Sequence, residues 1–258
     1  MNNIKTFENF NNKDIFEYIY NDDIQSVKNY INSGYDLNIQ IYYDYTPLMY
    51  AAYYNRIEII KLLLDAGSDV NKQSNSGNTA LIWASRNNNL EIVKLLLNTG
   101  SDVNKKCNDG YTALIWVSRD NNIEIVKLLL NAGADTDKQD NFGNTALIYA
   151  SIYNNIETVK LLLDAGADID KQNNKYGNTA LILSAMDNNL KLIELILDYG
   201  ADEFILNYNN ESFYDYLNDE NKKYFREKYP TSVYNAIYHE YKKSFIEFVK
   251  EYNIKIKK

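Results

Sequence analysis

The stretch Thr79–Asn89, TALIWASRNNN, returns at Thr112–Asn122 as TALIWVSRDNN. The copies start 33 residues apart, and the chain's two tryptophans, Trp83 and Trp116, fill the same slot. Moving outward, Gly34, Gly67, Gly100, Gly133, Gly166 and Gly200 keep this interval, with one extra residue in the last step. Thr46, Thr79, Thr112, Thr145 and Thr179 run in phase with them, and Ser212 takes the next threonine slot. The extra residue lies in KQNNKYG (171–177), where the preceding copy reads KQDNFG (138–143). That is a polar loop, in which an insertion costs little. A fixed period of this length marks stacked units, each too small to bury its own apolar face.

One unit reads as two helices and a polar finger. Thr79 is a good N-cap, since its hydroxyl can accept a bond from an orphan helix N–H. The short helix ALIWASRN follows, with Ala84 and Ser85 small enough to let neighbours approach. Asn88 ends it, because Asn tolerates left-handed backbone; Asn55, Asn121, Asn154 and Asn188 recur in that slot. The second helix, LEIVKLLL (90–97), is apolar almost all round, as suits a helix packed between neighbours. Its Glu91 and Lys94 stand one turn apart, which predicts a weak surface pair. Gly100 closes the helix, and SDVNKKCNDGY (101–111) forms the connecting finger.

Read in full, DGYTALIWVSRDNNIEIVKLLLNAGAD (109–135) resembles the ankyrin repeat, as do its four neighbours, and the phasing runs through roughly residues 8–206. The resemblance implies an all-α ankyrin-repeat solenoid: stacked helix–turn–helix units with β-hairpin-like fingers. The chain departs from the family's Thr-Pro-Leu-His phrase. Only Pro47 survives of the proline, and Met or Ile replaces the histidine, which removes a polar bridge and should leave the fold intact. The expected organisation is an N-terminal capping repeat over 1–40, five full repeats over 41–206, and a degenerate repeat with a C-terminal helical cap over 207–258. Both ends depart from the pattern, as terminal units do: Lys13 stands in the first threonine slot, and Pro230 breaks the chain near the other end. Beyond it, Val233, Ile237, Tyr241, Phe245, Phe248, Val249 and Tyr252 form an apolar stripe at helical spacing, either a cap or a docking helix.

Ankyrin partners usually lie against the concave side, touching finger tips and the first helices. By resemblance, the slot four after the threonine faces that side, and it holds Tyr50, Trp83, Trp116, Tyr149 and Leu183. Seven and eight after come Tyr53–Tyr54, Arg86–Asn87, Arg119–Asp120, Ile152–Tyr153 and Met186–Asp187. The fingers add Tyr42, Tyr43, Tyr45, Tyr111, Phe142 and Tyr176. Units about 10 Å apart turn these slots into an aromatic ladder with arginines alongside. Trp, Tyr and Arg dominate binding hot spots. The candidate protein-binding residues are therefore Tyr50, Tyr53, Tyr54, Trp83, Arg86, Tyr111, Trp116, Arg119, Phe142, Tyr149 and Tyr153. Two plainer readings compete: the rings pack against flanking helices with little exposure, or the paired tryptophans are one accident copied by duplication.

Nothing in the sequence points to catalysis. His239 is the only histidine and Cys107 the only cysteine, and no phosphate loop, dinucleotide fingerprint or metal-ligand spacing occurs. The expectation is a non-enzymatic binding scaffold, with no cofactor and no metal. Its partners would be one or more proteins, and the alternative is an adaptor or host-directed effector whose basic C-terminal helix recruits a second protein. Residues 1–217 hold 17 Lys/Arg against 29 Asp/Glu, whereas 218–258 hold 10 against 6. An acidic body repels phosphate backbones, which argues against nucleic acid. One cysteine, no secretory segment and no long apolar run predict a cytoplasmic monomer away from the membrane.

Overall fold

The computed structural model of the chain describes residues 14–41 and 43–228, which hold fourteen helices and no strand. They divide between two compact units, Met1–Asn141 and Phe142–Lys258. Lys13, Tyr42, His239 and the stripe from Val233 to Tyr252 lie outside the described residues.

In the first unit the helices come in pairs: α1 (Asp14–Tyr20) with α2 (Ile24–Asn32), α3 (Pro47–Tyr53) with α4 (Ile57–Asp65), α5 (Ala80–Arg86) with α6 (Leu90–Asn98), and α7 (Ala113–Asp120) with α8 (Ile123–Asn131). First helices pack on first helices, α1 to α3 to α5 to α7, and second helices on second helices. The caps are those the repeated phrase calls for. Thr46, Thr79 and Thr112 each accept a bond at 3.2 Å from the N–H three residues on. Asn55, Asn88 and Asn121 hold left-handed backbone, with φ of 58°, 54° and 57°. The next residue then caps the second helix: Asn89 and Asn122 accept from the Ile92 and Ile125 N–H groups. In the same slot, Arg56 gives up that cap. Its guanidinium donates instead to the Ile19 and Tyr20 carbonyls at the end of α1, where a cation suits the helix dipole.

The core follows from these turns. Leu81, Ile82, Ile92, Val93 and Leu96 are each at most 1% exposed, and so are their counterparts Leu114, Ile115, Ile125, Val126 and Leu129. Where the ankyrin phrase has histidine, Met49, Ile82 and Ile115 are buried, so packing replaces the polar bridge. Burying each such side chain contributes roughly 1.5–3 kcal/mol. The surface pair expected between Glu91 and Lys94 is not the one formed. Lys61 Nζ lies 2.8 Å from Glu58 and 3.5 Å from Glu91, so Glu91 pairs with the preceding repeat.

The fingers are short, hairpin-like turns: Ile41 and Tyr45 pair as an isolated antiparallel bridge, each N–H donating to the other's carbonyl. In a later finger the Cys107 N–H donates to the Tyr111 carbonyl and the Gly110 N–H to the Cys107 carbonyl. Their remaining backbone groups bond sideways, Asn108 N–H to the Ser76 carbonyl and Asn141 N–H to the Asp109 carbonyl. Gly110 permits this approach: its φ is +85°, and a Cβ there would stand 2.7 Å from the Asp140 Cα. Glutamines fasten the stack. Gln40 Nε2 donates to the Asp44 carbonyl of its own finger (2.9 Å) and to the Gln73 carbonyl of the next (2.8 Å). Gln73 repeats this on the Gly77 (2.6 Å) and Lys106 (3.0 Å) carbonyls. Asn71 and Asn104 act likewise at the finger bases, their amides bridging to the Gly100–Asp102 and Gly133–Asp135 segments.

The second unit keeps the scheme with α9 (Ala146–Ile152), α10 (Ile156–Asp164), α11 (Ala180–Met186) and α12 (Leu190–Asp198). It ends in the single turn α13 (Phe213–Tyr216) and in α14 (Asp219–Lys228). At Ser212 the cap is inverted, the Ser212 N–H donating to the Asp215 carboxylate at 2.7 Å. Phe225 of α14 is 1% exposed and meets Phe213 edge-on at 6.0 Å. Tyr224 and Lys228 both donate to the Glu194 carboxylate of α12.

Candidate protein-binding face

In the first unit the slots of the first helices and fingers assemble one connected set of rings and cations. Trp83, on α5, meets Tyr45 edge-on at 5.4 Å and Tyr53 at 5.0 Å. Arg86, one turn later, sets its guanidinium carbon 5.2 Å from the Trp83 ring and 4.9 Å from the Trp116 ring. Trp116, on α7, is stacked by Tyr111 at 4.7 Å and 25°, and Arg119 stands 5.4 Å from its ring. On the other flank Tyr53 touches Tyr54, Tyr54 touches Tyr50 and Tyr20, and Tyr50 touches Phe16. The rule behind the cluster is local. The side chain seven after one threonine lies against the ring four after the next: Tyr53 against Trp83, Arg86 against Trp116.

Depth separates residues that the sequence places in one slot. Trp83 is only 6% exposed, lying beneath Tyr45, Tyr53 and Arg86, so it is the floor of the face and not its surface. Trp116 and Tyr111 are half-buried, whereas Tyr53 and Arg86 are exposed. Both indole N–H groups are buried, with no acceptor among the described residues. Burial, and next the neighbouring Tyr53, pushes the Tyr45 phenol above its ordinary pKa, against the pull of Arg86.

The two arginines differ in their charge partners. Arg119 Nε lies 3.7 Å from Asp120, whose other oxygen accepts from Asn88 at 3.5 Å. Among the described residues no carboxylate lies within ion-pair distance of Arg86. It is an exposed cation held between two indoles.

Of the remaining candidates, Phe142, Tyr149 and Tyr153 belong to the second unit. Phe142 and Tyr153 are 56% and 49% exposed, but Tyr149 is 9% exposed, matching the reading of a ring packed on its neighbours. The sequence reading missed Phe16 and Tyr20. Counting seven from Lys13 reaches Tyr20, so the register reveals it even where the first repeat lacks the phrase. Among the described residues no helix is long and apolar enough to cross a membrane. No group of three or more His, Cys, Asp or Glu there could hold a metal ion.

Comparison with protein families places these units. The model for ankyrin repeats in three copies matches residues 15–107 and again 100–173, and the single ankyrin repeat model matches 176–210. No curated protein matches the chain. Ankyrin repeats generally mediate protein–protein interaction, and proteins built from them are generally non-enzymatic. With helix pairs, caps and fingers in phase over most of its length, the chain belongs to the ankyrin repeat family.

Proposed function

We propose that the chain is a protein-binding scaffold whose partner lies on the first-helix and finger face of the first unit. The supporting observation is that exposed Tyr53 and Arg86 and half-buried Trp116 and Tyr111 form one contiguous surface over the buried Trp83. A rigid floor holds the contact rings in place before binding, so little side-chain freedom is lost when a partner arrives. Trp116 is the residue to test, because Trp83 supports the fold. Truncating a tryptophan at a hot spot costs about 2 kcal/mol or more, roughly thirtyfold in affinity. In quantitative affinity purification, proteins retained by the wild type should be depleted on Trp116→Ala and on Tyr53→Ala. They should remain on Glu124→Ala, on the second helix α8. Equal retention by all four proteins would move the site elsewhere.

The adaptor reading is narrowed by the packing of α14. Phe225 lies against Phe213, so truncation at 217 would strip packing from the last repeat. A recruiting segment is better sought in residues 229–258, which carry 6 Lys against 3 Glu. Truncation after 228 should lose a second partner and keep the first.

A further inference from the structure

We propose that the face recognises an acidic peptide segment, with Arg86 as the anchor for one of its carboxylates. The inference rests on the scaffold reading and adds the partner's chemistry. Arg86 stands at the centre of the ring cluster, its guanidinium close to both indoles, with no carboxylate of the described residues in reach. A partner that covers Tyr53 and Trp116 must also cover Arg86 and remove its water. Desolvating an unpaired charge costs more than contact with two rings returns. The covering surface must therefore supply an anion, and a carboxylate matches the guanidinium through two parallel N–H···O bonds. Arg119 makes a poorer anchor, since Asp120 already offsets its charge.

Overall charge selects the kind of anion. Residues 1–217 carry 17 cationic against 29 anionic side chains, so a polyanion such as a nucleic acid meets repulsion along its length. A peptide bearing one or two carboxylates among apolar residues meets little of it. Beyond about 8 Å at physiological salt the other charges are largely screened. A cationic partner would leave Arg86 buried and unpaired.

A random-peptide display selection on the full chain tests this, with the selected peptides measured by fluorescence anisotropy. The enriched peptides should share an Asp or Glu at a fixed position among apolar residues. Changing it to Asn or Gln should weaken binding to the wild type at least about tenfold, and have less than about a twofold effect on binding to Arg86→Gln. Arg86→Lys should restore only part of the affinity, because an ammonium lacks the fork. Arg86 also lies against both indoles, so Arg86→Gln should lower the urea midpoint modestly and Arg86→Lys less, with both variants fully folded under the binding conditions. Peptides that need Trp116 but bind equally well without their acidic residue overturn the anchor and leave the scaffold reading standing. Peptides indifferent to both Trp116→Ala and Arg86→Gln overturn both readings, as does a selection that enriches nothing.

Discussion

Lys106 interrupts the row of glutamines that fastens each finger to the next, and replacing it with glutamine should stabilise the protein. Gln40 and Gln73 stand 66 and 33 residues before it in the same slot, and Gln172 stands 66 after. Each donates its side-chain amide to two carbonyls, one in its own finger and one in the next. Lys106 is exposed and makes no side-chain hydrogen bond or ion pair among the described residues. In register, Gln at 106 would reach the carbonyls of Gly110 and Gln139. Two such bonds are worth about 0.5–1.5 kcal/mol each, and ordering the side chain costs up to about 1.5–2 kcal/mol. The expected net gain is about 0.5–1 kcal/mol. With a slope of about 2 kcal/mol per molar, the urea midpoint should rise by about 0.2–0.5 M at unchanged slope. The reciprocal Gln73→Lys, read by circular dichroism in the same titration, should lower the midpoint by a similar amount. An unmoved midpoint in both variants would show that these bonds only replace bonds to water, and the argument would fail.

Leu114→Ala, at a site 1% exposed, should cost about 2–5 kcal/mol in urea unfolding; a cost below about 0.5 kcal/mol would mean the core face is misassigned. Trp83→Ala should cost about 3–5 kcal/mol, against about 1–2 kcal/mol for Trp116→Ala, where one ring stack and its cation contacts are lost; equal costs would contradict the difference in depth. Gly110→Ala should destabilise clearly more than Gly100→Ala, since both have positive φ but nothing lies within 4 Å of a Cβ at Gly100. Tyr30 is buried and stacked on Tyr35, and burial first, then the Asp36 charge, pushes its phenol up to about 12. Its folded pKa lies above the unfolded value of about 10, so its contribution is intact below pH about 10 and is lost as pH rises through 12. Tyr30→Phe should flatten that alkaline decline in a pH series of thermal melts, and an unchanged slope would assign it to other tyrosines.

The helix boundaries were legible because each is set by a residue type that little else can replace. A threonine accepts the N-terminal bond, an asparagine takes left-handed backbone, and a glycine ends the second helix. The slots also identified which first-helix residues share a side. They did not reveal depth. Trp83 and Trp116 occupy one slot, yet the first is covered by Tyr53 from the preceding repeat and the second by Arg86, whose longer reach leaves the ring half open. Burial here belongs to pairs of adjacent repeats, and a slot read one repeat at a time omits its neighbour. Glu91 shows the same limit: within its own helix Lys94 is the natural partner, but stacking brings Lys61 to 3.5 Å. The fingers show it once more: besides the bonds within each hairpin-like turn, the Asn108 N–H donates sideways to the Ser76 carbonyl of the preceding finger, which no single repeat reveals.

Those sideways bonds make the repeats interchangeable. In the first unit the bonds joining one repeat to the next run from Asn71 to Gly100 at the shortest, 29 residues apart, to Arg56 and Ile19 at the longest, 37 residues apart. Each of these repeats therefore ends in donors and acceptors of the same kind, at the same offsets, as its neighbours. If residues 79–111 were removed, Asn71 would meet the Gly133–Asp135 segment that Asn104 now holds, and Gln73 would meet the carbonyl of Gln139. A gene that gains or loses one period would leave no amide without a destination. Arg56 is the exception, a fastening that fits only the end of α1. Length is thus free to drift in the interior while the first repeat stays tied to the second.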